Sequence, residues 1–472
     1  MNLDMNQEYV LQNRWSIKGN RLVYYGMRVK PYFLKNHIRI SSKARSILEQ
    51  MPKPLDETEM KTISRLIKQQ IVVNLKDLKQ TPKTLSEAHF CKQCVANDFI
   101  IPGLELNSEG LCPMCETAEE TKDMHSILPL KTDIEKNPSG RFDVAVFYTG
   151  GKDSSYLLYY LAKVKNLRVI AYTWDMPFMT QNAKQSIENA KKKLTNVEFV
   201  SRQMSINDLK QIYRHLYSTE NNPCACPSLA YALFYPDMVD EGIPYFVLGN
   251  EPVQMLGIYY NHLTPKAGYN LRYHRLLNVL ISVGRVLTLR KPLKLGQMHT
   301  LMTMRQLAYG DSKIKTWAGY NSELVTHVSD ALRSLPSMVK PLRRAIRRSN
   351  WSGNIPRLVH IDFDEIFDGG YNWIKTKDLL VKELGWVGPV AKEKSLHTSC
   401  LIETCKEQSQ FKRFYMMESE NIPFSAIEIS LASSRKNSSR EEAMEELEKH
   451  LGFSLDEVPS CQYVKDFLNQ KS

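Results

Sequence analysis

Thr149-Gly150-Gly151-Lys152-Asp153-Ser154-Ser155 places two glycines, a cation, a carboxylate and three hydroxyls within seven positions. That set of groups suits the recognition of a polyphosphate. Consecutive glycines let a backbone approach an anion without Cβ clashes. The elements that must hold them are legible on either side. Phe142 to Tyr148 is an apolar, strand-type run, and the residues from Asp153 to Leu161 read as a helix, so the glycines lie at a strand-to-helix turn. A helix that opens there aims its unpaired N–H groups and its positive dipole end at the turn. The spacing is neither GxxxxGK[ST] nor GxGxxG, which excludes a Walker loop and a dinucleotide fingerprint. An ordinary Gly-Gly turn is the plain alternative.

A second constellation lies upstream. Cys91-Lys92-Gln93-Cys94 and Cys112-Pro113-Met114-Cys115 form a C-x2-C-x17-C-x2-C pattern, within the window for one zinc ion held by four thiolates. Each pair makes a knuckle that offers two sulfurs to one metal, with Gly103 and Gly110 supplying turns between them. Two disulfides or four thiols are the alternatives. Met1-Asn2-Leu3-Asp4 does not begin a signal peptide, which disfavours disulfides. A closed four-thiolate site has no open coordination position, so the expected role of the zinc is structural.

The glycine-rich turn resembles the PP-loop, SGGxDS, of the ATP pyrophosphatases, with Thr149 in place of the usual Ser. The resemblance implies an α/β fold with a parallel sheet, of the adenine nucleotide alpha hydrolase-like (HUP) type, and a reaction that consumes ATP with Mg²⁺ and releases AMP and pyrophosphate. It implies roles as well. Lys152, Asp153 and Ser154 become the catalytic candidates, with Lys152 near the phosphates. Thr149, Ser154 and Ser155 would donate to the phosphates beside Gly150 and Gly151, and Asp153 would cap the helix and help hold magnesium. The strand Leu167 to Asp175 would follow in a right-handed βαβ unit, bringing Thr173, Trp174 and Asp175 to the adenine. Asn196 to Val200 and Pro244 to Glu251 read as two further strands, the last ending in Gly249-Asn250-Glu251 at the nucleotide pocket. For Asn250 and Glu251, polar residues leaving a strand are the simpler reading.

The order of the motifs resembles the N-acetyl sugar amidotransferases of surface-polysaccharide and flagellin-sugar biosynthesis. Two Cys-x2-Cys pairs precede the loop, Gly249-Asn250-Glu251-Pro252 follows it, and Glu383-Leu384-Gly385-Trp386, His397-Thr398-Ser399-Cys400 and Ser439-Arg440-Glu441-Glu442-Ala443 complete the likeness over residues 88 to 452. Asn250 and Glu251 stand in inverted order, and the N-terminal extension has no counterpart. The resemblance implies a ligase that adenylates an oxygen of a sugar or nucleotide-sugar substrate and introduces nitrogen from ammonia made by a separate glutaminase. The remaining cysteines keep a second reading open. Cys224, Cys226 and Cys400 could supply three thiolates to an iron–sulfur cluster, as in PP-loop sulfurtransferases that thiolate tRNA. Reduced loop cysteines are the alternative.

The 472 residues, with 43% hydrophobic and 24% charged side chains, suffice for two or three domains. The divisions expected are a small α+β, winged-helix-like extension at 1–85, the zinc ribbon at 86–120, the ATP-binding domain at 135–260, a basic helical segment at 261–355 and a C-terminal helical part at 356–472. The extension reads as a hairpin about Gly26, helices at 42–51 and 56–69, and a strand from Ile71. The apolar run Leu276 to Gly284 is too short to span a bilayer and is flanked by Arg275 and Arg285, so a cytoplasmic protein is expected. From Asn261 to Asn350 sixteen Lys and Arg face three acids, so this stretch alone carries +13 against a whole-chain net charge of +12. Such a segment would attract tRNA, a nucleotide-sugar phosphate or an acidic partner; a solvated or membrane-adjacent helix surface explains it equally.

Overall fold

A computed structural model describes residues 7–218, 226–247, 250–264, 266–310, 323–390 and 394–470. The central apolar runs become parallel strands. β1 (Tyr9–Leu11), β2 (Trp15–Lys18), β3 (Arg21–Tyr24), β4 (His37–Arg39) and β5 (Val72–Asn74) belong to the N-terminal part, and β6 (Val144–Phe147), β7 (Val169–Trp174), β8 (Val197–Arg202), β9 (Tyr245–Val247) and β10 (Arg357–Val359) form one sheet. Its order is β10-β9-β6-β7-β8, and every neighbouring pair runs parallel. β6 lies in the middle and is buried at all four positions, the pattern of a strand covered on both faces. Beneath it the buried Asp143 carboxylate accepts from Arg168, whose guanidinium also binds the Gly140 carbonyl. β10 was not anticipated. Only three residues long, it pairs with β9 across more than a hundred residues of sequence, and no local period marks so short a run.

The N-terminal part is α+β with its own core, centred on Leu22, Ile63, Ile71 and Val72. The hairpin expected about Gly26 does not form; β3 pairs with β2 and β4 instead. Gly26 serves a close approach, since a Cβ there would lie 2.3 Å from the Gly103 carbonyl oxygen. The helices are Ser42–Leu48 and Glu57–Lys68, the second opened by a reciprocal capping box of Asp56 and Glu59. The guanidinium of Arg14, held by the Tyr25 carbonyl, ties this part to the rest through the carbonyls of Phe414 and Tyr415. The cysteine ribbon and the sheet share one continuous core with the C-terminal helices.

The basic segment is helical where described, with helices Leu271–Leu287, Gln297–Tyr309, Glu323–Arg333 and Pro336–Ser352. Its arginine cluster is one face of Pro336–Ser352, with positions 343, 344, 347 and 348 on the side opposite the buried residues. Leu342, Ala345 and Ile346 are buried on the other face, and Arg343, half-buried, donates to the Ala308 carbonyl at 3.0 Å. Arg344, Arg347 and Arg348 are exposed.

Candidate functional site

The loop between β6 and the helix Lys152–Tyr159 sits at the carboxyl ends of the central strands, where ligands of open α/β sheets bind. Its two glycines do different work. Gly150 has φ +72, and a Cβ would stand 2.4 Å from the Ala183 carbonyl oxygen; its own carbonyl accepts from the Trp386 indole at 3.0 Å. Gly151 has ordinary φ, and its missing Cβ points between the Thr149 and Thr398 hydroxyls at 3.4 Å from each. Thr149 and Ser154 hydroxyls lie 3.1 Å apart across the turn. Thr149, Gly151, Lys152, Asp153 and Ser154 line a cavity of about 260 Å³.

Two expected roles are corrected by these positions, the Asp153 cap and the Ser155 donor. The helix is capped by Gly151, with no side-chain cap, and Asp153 stands in the first turn. The Asp153 carboxylate accepts from Lys152 and Tyr371. The Ser155 side chain is fully buried, its hydroxyl donates to the Tyr148 hydroxyl, and Ser155 does not line the cavity. Lys152 is buried, its ammonium 3.3 Å from Glu251 and 2.6 Å from the Tyr371 hydroxyl, above the Tyr371 and Trp373 rings. Burial lowers the lysine pKa, but Asp153 and Glu251 outweigh it and hold the ammonium charged. Glu251 also accepts from the Trp373 indole at 2.8 Å, and burial pushes its pKa up to about 7.

The adenine candidates separate. Trp174 lines the cavity, and its indole N–H is buried without a hydrogen-bond partner among the described residues. Thr173 turns back to the Tyr148 carbonyl at 2.9 Å, while the Asp175 carboxylate accepts from Gln203 at 2.6 Å; both line a separate depression. Asn250 lines the cavity. Gly249 and Cys224 lie outside the described residues, as does the side chain of Cys226, whose backbone opens the helix Cys226–Asp240. Cys400 lines the cavity beside Ser399.

The C-terminal motifs explain themselves by place. Trp386 binds the loop, as above, and Leu396 to Cys400 form one wall. Arg440 donates to the carbonyls of Cys91 and Cys94 at 3.0 and 2.7 Å. Tyr371, Trp373 and His397 carried no functional signal in the sequence beyond the motif around His397, because their partners are remote along the chain. His397 occupies φ +52 and lies 3.7 Å from Glu403 and Glu407 and 3.6 Å from Glu428. Burial lowers its pKa. Burial, then the Glu403 charge, pushes Glu407 up to about 8; burial also raises Glu403, but Lys406 and His397 outweigh it and leave it at about 2.

Cys91, Cys94, Cys112 and Cys115 are all buried, and their sulfurs lie within 4.8 Å of one another, Cys94 and Cys112 at 3.6 Å. Tetrahedral zinc with 2.3 Å bonds spaces thiolates about 3.8 Å apart, so the residues fit one metal ion. Backbone N–H groups of Ala96 and Cys112 point at Cys94 and Cys91 sulfurs at 3.4 and 3.3 Å, which favours thiolates there.

No family model and no curated protein matches this chain. Among solved structures, it is similar to the U34-tRNA thiolase NcsA from Methanococcus maripaludis with its [4Fe-4S] cluster, at 16% identity and a TM-score of 0.22, over 56% of this chain and 86% of that one.

Proposed function

We propose that this chain is an ATP-dependent, AMP- and pyrophosphate-forming enzyme of the PP-loop type. The observation that supports it is the convergence of Gly151, Thr149 and Ser154 on a cavity at the carboxyl ends of parallel strands, with the Trp174 indole, unpartnered among the described residues, in the same wall. In this reading the helix N-terminus and the hydroxyls bind phosphate, and Trp174 meets the base. Magnesium would be held by Asp153 and would neutralise charge on the leaving pyrophosphate. An acceptor oxygen attacks the α-phosphorus, the bond to the β-phosphate oxygen breaks, and pyrophosphate departs. The Lys152 ammonium, fixed between two carboxylates, orients Asp153.

For the second half-reaction we propose nitrogen transfer: ammonia from a separate glutaminase displaces AMP from an adenylated N-acetyl sugar or nucleotide-sugar. The order of the cysteine pairs, the loop and the C-terminal motifs supports it. A specific observation favours a second reading, sulfur transfer to tRNA or another acceptor: Cys400 lies in the cavity wall, and the helix begun by Cys226 contributes Ala230 to the same cavity. Pyrophosphate release from ATP with candidate acceptors, run alongside metal analysis after anaerobic purification, tests both. Zinc alone, with ammonia-dependent turnover, is the expected result. Iron and sulfide, with turnover lost in Cys400→Ser, would replace nitrogen by sulfur transfer, and no pyrophosphate under any condition would overturn the ATP assignment.

A further inference from the structure

The helix Leu271–Leu287 carries apolar side chains on both sides, Leu277 and Ile281 packing inward. Polar groups also fix it: the Asn278 amide donates to the Leu293 carbonyl at 2.9 Å, and the buried Arg285 guanidinium donates to the Lys291 carbonyl at 2.8 Å and to Asn350. Its outer side is apolar. Leu276, Val279, Leu280, Val283 and Leu287 are 59%, 57%, 54%, 55% and 80% exposed, and their spacing puts them on one stripe. A Cβ on Gly284 would meet nothing, so the stripe is uncovered by any described residue. Leu289, 89% exposed, continues it, and the Arg285 bonds to Asn350 bring the neighbouring Trp351, 69% exposed, to the same end. An apolar surface of this extent marks an interaction site.

Charge selects the occupant. Arg272, Arg275, Lys291 and Lys294 are exposed around the stripe, in a segment carrying +13 over residues 261–350, sixteen cations against three acids. A second copy would bring two such segments face to face, which repulsion opposes. An anionic bilayer satisfies both features at once: aliphatic side chains enter the acyl boundary, lysines and arginines meet the headgroups, and a tryptophan settles at the interface. Among the described residues no helix is long and apolar enough to cross a membrane, so the contact is peripheral. We propose that the apolar stripe of Leu271–Leu287, with Leu289, Trp351 and the surrounding basic side chains, docks this protein on an anionic lipid surface.

Co-sedimentation of the full chain with vesicles tests this. Phosphatidylcholine vesicles containing about 30% phosphatidylglycerol should bind at least about tenfold more tightly than pure phosphatidylcholine, and binding should weaken with salt. Leu276→Ser/Leu280→Ser/Val283→Ser should lose about tenfold or more in affinity with an unchanged melting curve, because all three positions are exposed. Brominated lipid should quench fluorescence in the wild type and less in Trp351→Phe, a readout that does not depend on the triple variant. Absence of wild-type binding at low salt would overturn the proposal. So would equal binding to neutral vesicles, full retention by the serine variant, or dimerisation through this face without vesicle binding.

Discussion

Replacing each loop glycine by alanine should separate holding the turn from admitting phosphate. At Gly150 the backbone has φ +72 and a Cβ would stand 2.4 Å from the Ala183 carbonyl oxygen. The left-handed conformation costs an alanine about 1–2 kcal/mol. Overpacking against the backbone of helix Gln181–Lys193 adds about 1–3 kcal/mol. Gly150→Ala should therefore destabilise by about 2–5 kcal/mol, the sum of those two. At Gly151 the nearest atoms to an added Cβ are at 3.4 Å, an ordinary contact, and φ is −76. Gly151→Ala should change stability by no more than about 1 kcal/mol, because the loss of a glycine N-cap is offset by a stiffer unfolded chain. Its methyl would nevertheless stand between the Thr149 and Thr398 hydroxyls, where phosphate must approach. Urea unfolding followed by circular dichroism measures the first effect, and pyrophosphate release measures the second. A Gly150→Ala protein as stable as the wild type, or a Gly151→Ala protein with full turnover, would refute the division of roles.

Lys152→Met should cost about 3–5 kcal/mol by leaving buried carboxylates unpaired, and adding Glu251→Gln should recover a large part of it in the same unfolding assay. Glu407, whose pKa burial raises to about 8, is protonated in the folded chain where the unfolded carboxyl is ionised. Its contribution is whole below the ordinary carboxyl range and declines as pH rises toward 8, so stability should fall between about pH 5 and 8 by as much as about 1.4 kcal/mol per unit. Glu407→Gln should flatten that slope, which melting curves across the range would show. Cys91→Ser/Cys112→Ser should abolish bound zinc by metal analysis. Arg440→Ala, which removes two hydrogen bonds to the cysteine carbonyls, should lower stability by about 2–3 kcal/mol and speed zinc loss to a chelator.

The strand before the loop, the glycine pair, the helix after it and the four cysteines were legible because each is a local pattern: a buried run, a turn and a fixed spacing express themselves within a few residues. β6 and the helix Lys152–Tyr159 accordingly lie where their residues indicate. The hairpin about Gly26 was misplaced for the opposite reason, since that glycine answers to Gly103, far along the chain. The orientation of each side chain at the site was likewise beyond local pattern. Ser154 and Ser155 are adjacent, chemically identical and both buried, yet helical rotation turns only Ser154 to the cavity. Whether Lys152 faces solvent or a buried carboxylate depends on Glu251, Tyr371 and Trp373. Those partners are brought to it by the order of the sheet strands and the docking of the C-terminal helices. Composition determined that residues 261–350 are basic; only the docking of Leu271–Leu287 through Leu277, Asn278, Ile281 and Arg285 decided that an apolar stripe would stand outward among those charges.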